Sequence, residues 1–276
     1  MKKLFVKTVA LLAILLSPVL NAQDFYGTVT YESKISFPDI DIPEEQAQEL
    51  PDDIQQLIKE QLDNAGRNTY TLNFNKTSSL YEQVEKPKSL EENTMVMITT
   101  EGDDSKFYTN LKDKKTVRQL TGFDKQFIIT DSIVKHPWKL INETKKIGDY
   151  TCYKATYTIS ASDITVSNSL SNEESKDRIV TAWYTKQIPV QFGPDEYGGL
   201  PGLILELNNE QQTILCSKIV LNPKEKPEII APKKGKKVTM KEFEEIMVKK
   251  QEELEKQFKS KNPNNKDGVY FEVITN

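Results

Sequence analysis

Cys152-Tyr153-Lys154-Ala155-Thr156-Tyr157-Thr158-Ile159 reads as a strand with one wet face and one dry one. From Ala155 onward, apolar residues alternate with threonine, and a period of two is the mark of a half-buried β-strand. The same alternation recurs on either side, in Gly27-Thr-Val29-Thr-Tyr31, Tyr70-Thr-Leu72-Asn-Phe74 and Ile179-Val-Thr-Ala-Trp183-Tyr184. Shorter strand-like pieces fill the intervals, at 95–100, 106–110, 116–120, 127–131, 138–141, 203–207 and 214–220. Gly, Asp, Asn and Lys turns separate them. Many short alternating strands predict an antiparallel sandwich, barrel or curved open sheet. No strand–helix–strand unit repeats, which argues against a parallel nucleotide-binding sheet.

Two segments read differently. Ile54, Leu57, Ile58 and Leu62 fall at helical spacing ahead of Gly66, so 38–64 is expected to be a helical insertion with an acidic loop at its front. Met240, Phe243, Met247, Leu254 and Phe258 form an interrupted apolar stripe, and Thr239 with Glu242 forms a capping box, predicting a helix over 239–259. Between strands and helix, 222–237 carries three prolines and a Lys-Lys-Gly-Lys-Lys run and reads as a solvated linker. Residues 269–275 could add an edge strand. The expected fold class is therefore mainly β with α (α+β): a curved antiparallel sheet or half-barrel with a helical insertion and a late amphipathic helix.

Length, charge and the first residues bound the function. The chain has 276 residues, room for one or two domains. Lys2, Lys3 and Lys7 precede the apolar run Val9–Leu16, which Ser17 and Pro18 break before Asn21-Ala22. Basic, apolar, then small is the pattern of a secretory signal peptide over 1–22, with 23–276 as one β-rich domain. No cysteine follows the run, so the expectation is an exported protein, periplasmic or secreted and not lipid-anchored. Loss of the three lysines takes the net charge from −4 to −7. An acidic chain of this kind is a poor nucleic-acid binder. No later run approaches the ~20 apolar residues of a transmembrane helix.

The chemistry is sparse. The single His136 excludes any site needing two imidazoles, and two cysteines exclude a four-thiolate zinc site. No serine sits in a nucleophile elbow, no calcium loop is present, and neither a metal nor a cofactor is expected. An exported compartment permits a disulfide between Cys152 and Cys216; two separate buried thiols are the alternative. Asp195 and Glu196 are neighbours in an extended loop, where side chains point apart, so both read as solvated. Gly193-Pro194-Asp-Glu-Tyr197-Gly198-Gly199-Leu200-Pro201-Gly202-Leu203-Ile204 lacks the lysine and hydroxyl residue that end a phosphate loop. Its apolar residues predict an ordered turn with Leu200 buried near Trp183 and Tyr184. Trp138, Trp183, Tyr184, Tyr197 and Leu200 are the candidate binding residues, as core or as the wall of an apolar groove.

The string Gly199-Leu200-Pro201-Gly202-Leu203-Ile204 resembles the signature of the GLPGLI family, exported proteins of Bacteroidetes. Similar in kind are the start Phe25-x-Gly27-x-Val29-x-Tyr31, the segment Ile147-Gly148-Asp149-Tyr150-x-Cys152-x-Lys154-Ala155, and Ala182-Trp183-Tyr184 followed by Ile188-Pro189 and Gly193-Pro194. The resemblance implies export and supplies no catalytic residue. The leading expectation is a non-enzymatic cell-envelope protein holding an apolar ligand or an envelope protein partner on a concave sheet face. The rivals are an accessory of an outer-membrane transporter and a carboxylate-based hydrolase.

Overall fold

A computed structural model describes residues 25–35, 56, 66–84, 105–123, 125–161 and 176–261. Twelve strands form one sheet: β1 (Gly27–Ile35), β2 (Arg67–Phe74), β3 (Ser78–Gln83), β4 (Lys106–Asn110), β5 (Lys115–Gly122), β6 (Lys125–Ser132), β7 (Lys139–Ile147), β8 (Tyr150–Ile159), β9 (Arg178–Thr185), β10 (Leu203–Asn208), β11 (Gln212–Leu221) and the two-residue β12 (Lys236–Lys237). One helix, α1, spans Met240–Lys261. The spatial order is β12-β6-β5-β4-β3-β2-β1-β11-β10-β9-β8-β7. Two antiparallel meanders, β1 to β6 and β7 to β11, are thus joined where β1 pairs with β11.

The α+β expectation needs correction. The molecule is one large mixed sheet with a single helix among the described residues, and the sheet is open, with β7 and β12 at opposite edges. It is mixed because β12 runs parallel to β6, pairing Lys236 with Phe127 and Lys237 with Ile128. A parallel neighbour needs a long crossover, and the segment after β11 supplies it. The helical insertion expected over 38–64 lies outside the described residues apart from Gln56, as does the strand expected over 269–275. Residues 222–237, read as a solvated linker, are mostly exposed and run as a strap held at a few points. Ile229 and Ala231 pack on Leu80, Tyr108, Val117 and Ile128, and β12 then pairs at the edge. Around that edge α1 folds back. Thr239 caps it, accepting from the Glu242 amide at 3.2 Å while the Glu242 carboxylate takes the Thr239 amide at 2.8 Å. Phe243 and Met247 pack with Leu120, Phe127 and Ile129.

Strand alternation shows directly in β1, where Gly27, Val29, Tyr31 and Ser33 are buried and the residues between them are more open. Val29, Tyr31, Leu72 and Phe74 join Ala155, Val180, Ala182, Tyr184, Leu207 and Ile214 in one core that spans both meanders.

Cys152 and Cys216 form no disulfide. They stand on β8 and β11. Two strands, β9 and β10, therefore stand between them in the sheet order, and no bond joins the two sulfurs. Burial pushes both thiols up to about 11. Thiol titration of the unfolded, unreduced protein should therefore find two reactive groups, with both slow to react in the folded state. Finding none on unfolding would restore the bridge.

Candidate functional site

The connection from β9 to β10, residues 186–202, lies across the sheet. Ile188, Val190 and Phe192 are buried in turn and join the main core. The Phe192 ring reaches Phe74 of β2, 6.5 Å between centroids. The Tyr31 hydroxyl donates to the Ile204 carbonyl at 2.6 Å. Farther out, Arg118 of β5 meets the loop, with its guanidinium 2.8 Å from the Glu196 carboxylate and 3.3 Å from Asp195. Strand β5 is six positions from β10 in the sheet, so the loop bridges the two meanders.

Backbone bonds hold the loop's shape. Leu203 donates to Ile188 at 3.0 Å, Ile204 to Phe192 at 3.1 Å and Gly199 to Gln191 at 3.0 Å. Leu200 is 2% exposed and fills the core beside Leu203 and Ile204. Gly199 has a φ of 83°, in the left-handed region that residues with a Cβ avoid. Gly202 lies against the end of β9, where a Cβ would stand 2.1 Å from the Thr185 carbonyl oxygen.

Aromatic groups brace the loop on its other side. The His136 ring stacks on Tyr157 at 5.1 Å and on Tyr197 at 5.4 Å. Its Nε2, in the tautomer that carries the proton there, donates to the Glu196 carbonyl at 3.2 Å. Trp138 Nε1 donates to the Gly198 carbonyl at 2.9 Å, and its ring stands edge-on to Tyr157. Burial raises the hydroxyls of Tyr157 and Tyr197, so both stay protonated. Burial first, and Asp195 second, raise the Glu196 carboxyl against the opposing pull of Arg118 and His136.

The five candidate binding residues do not meet at one cavity among the described residues. Trp138 and Tyr197 clamp the loop, while Leu200 and Tyr184 are buried in the core. Trp183, next to Tyr184 and so on the opposite face of β9, lies under Lys145, whose Nζ is 4.4 Å from the ring centroid and 2.7 Å from the Glu206 carboxylate. Asp195 and Glu196, expected to point apart into solvent, converge on Arg118. The positive φ of Asp195, 49°, turns the chain so that both carboxylates face β5. Arg118 itself escaped the sequence reading. It lies 78 residues from Glu196, in a strand, Lys115–Gly122, that is mostly polar, where one more cation carries no local sign of a distant partner.

A charge asymmetry follows. Arg118→Ala leaves two adjacent, partly solvated carboxylates without their cation and should cost about 1 kcal/mol. Glu196→Gln should cost less, because ionised Glu196 is disfavoured where it stands. Its folded pKa is raised, so folding gains stability as pH falls through that raised value toward the unfolded one, and Glu196→Gln should abolish that gain. Urea melts of both variants from pH 4 to pH 8 check the order; equal losses at neutral pH would refute it.

Residues 138–206, about a quarter of the chain, match the model of a family described as "Protein of unknown function (Porph_ging)", a Bacteroidetes-associated family. The span opens at Trp138 and closes just past the loop. No curated protein matches. Structures of PNGF-II in two crystal forms are similar at 15% and 16% identity, with TM-scores of 0.47 and 0.48. Each comparison covers 82% of this chain and 33% of the other. The chain thus spans about a third of the length of those structures, and at this level of likeness nothing about its activity follows.

Proposed function

We propose that the chain is an exported, non-enzymatic binding protein of the bacterial cell envelope and a member of the GLPGLI family. One observation carries the reading: the titratable groups gathered at the signature loop are spent on holding it. Arg118 neutralises the carboxylates, His136 is stacked between two tyrosines, and both tyrosines are kept protonated. A motif used this way is scaffold, and the exposed surface is left for recognition. Two clefts among the described residues carry lysines in their walls, beside Thr121 and Gln126 in one and Glu242 and Glu245 in the other, and Leu215, Val220 and Leu221 of β11 stand open to solvent. These features favour a polar ligand or protein partner over an apolar cargo.

Isolation from the native host's envelope tests the reading. The intact mass should begin at Gln23, and a ligand or protein should co-purify at fixed stoichiometry. A retained Met1–Ala22, or hydrolysis of a glycoside or ester panel that Glu196→Gln abolishes, would overturn it.

A further inference from the structure

We propose that the cleft between the β5–β6 hairpin and the strap binds an anionic sugar, the acid on the lysines of the strap and the hydroxyls on Thr121 and Gln126. This rests on reading the chain as a binding protein. The cleft has a volume of about 510 Å³ and is lined by Thr121, Gln126, Lys234 and Gly235. That is within the range of roughly 300–1,000 Å³ usual for small-molecule sites.

Thr121 and Gln126 are a cross-strand pair near the end of the hairpin. Thr121 Oγ1 and Gln126 Oε1 are both buried, and neither has a hydrogen-bond partner. Buried polar atoms are nearly always satisfied, and those that are not call for an explanation. Two orphans side by side in the wall of one cleft are explained by a ligand that completes them. Gln126 Oε1 needs a donor, while the Thr121 hydroxyl can give or take. A ligand hydroxyl serves both, which sulfate alone, having no proton to donate, does not.

The charge comes from the strap. Lys234 lines the cleft itself, with exposed Lys233 next to it in the chain, while Lys236 and Lys237 line the neighbouring cleft beside Glu242 and Glu245. Glu242, which faces Lys236, is held in the helix cap. Gly235 makes the approach possible. Its φ is 141°, and a Cβ there would stand 2.9 Å from the Gln126 carbonyl group, so glycine lets the strap close on the hairpin. A carboxylate or sulfate beside hydroxyls, as in a uronic acid or sulfated sugar, matches this set of groups.

Calorimetric titration of the full chain with a panel of uronate and sulfated disaccharides provides the test, with their neutral counterparts, inorganic sulfate and phosphatidylglycerol vesicles as controls. At least one acidic disaccharide should bind ten-fold or more tightly than its neutral counterpart and than sulfate. Thr121→Val and Gln126→Leu should each weaken that binding ten-fold or more. Both variants remove an unsatisfied buried atom, so their melting temperatures should stay level or rise, which separates lost binding from lost folding. Lys234→Ala should weaken binding and flatten its salt dependence. No binding across the panel, sulfate binding as well as the sugars, vesicles binding more strongly, or Thr121→Val and Gln126→Leu binding like wild type would each overturn the proposal. A partner that still co-purified from the envelope would leave the broader binding role standing.

Discussion

Replacing Gly202 with alanine should lower the unfolding free energy by about 3–5 kcal/mol, at and beyond the upper end of the roughly 1–3 kcal/mol that overpacking typically costs. The added Cβ would stand 2.1 Å from the Thr185 carbonyl oxygen, 2.6 Å from its carbon and 3.0 Å from the Lys186 nitrogen. All three are backbone atoms, so no side-chain rotation relieves the contact. Thr185 is fully buried at the end of β9, and shifting it would pull on Leu203, whose amide bonds Ile188 across the same corner. Gly199 is the control. A Cβ there meets nothing within 4 Å, but φ is 83°. Only the left-handed backbone is penalised, so Gly199→Ala should cost ~1–2 kcal/mol. Urea unfolding with an unchanged m-value checks the order, and a Gly202→Ala loss no larger than that of Gly199→Ala would mean the loop is not seated on Thr185.

Those two glycines also mark the limit of what the sequence can tell. The alternation in Gly27–Tyr31 and Ala155–Ile159 announces strands because solvent and core impose a period of two on any half-buried strand. The pairing partners carry no such local mark. That β1 closes the sheet against β11, nearly two hundred residues away, follows from the register of Tyr31 on Cys216 and Val29 on Ile219, which only the assembled sheet displays. The same absence hid the separation of Cys152 from Cys216: two strand-borne cysteines in an exported chain suggest a bridge, but nothing in either segment reveals two strands between them. The strap's two anchoring residues are hidden for a different reason. Pro, Lys and Gly dominate 222–237, and composition gave little weight to Ile229 and Ala231, although these suffice to bind it to the sheet. The signature string was conspicuous and its burial legible from the interleaved leucines. The Arg118 lock was not, since an ion pair between distant elements leaves no periodic trace.

Leu200→Ala should lower stability by about 2–4 kcal/mol, the lost transfer energy plus the cavity left behind. For a chain of this size, each kcal/mol corresponds to roughly 2–4 °C in melting temperature, so the drop should be easily measured. Leu200 is 2% exposed, and its neighbours Leu203, Ile204 and Leu205 are fully buried, which limits collapse of the surroundings into the space. Asp195→Asn, five residues earlier in the same loop, should move the melting temperature little, because its carboxylate is 38% exposed and exposed ion pairs contribute about 0–1 kcal/mol. The contrast discriminates between two uses of the motif. A loop that served as a ligand wall would keep Leu200 available to that ligand, and Leu200→Ala would then spare folding while abolishing binding. A loop that bridges the two meanders must place Leu200 where the sheet can bury it, and truncation then weakens the whole domain. An unchanged melting temperature in Leu200→Ala would sink the scaffold reading of the signature and, with it, the argument that recognition lies elsewhere on this sheet.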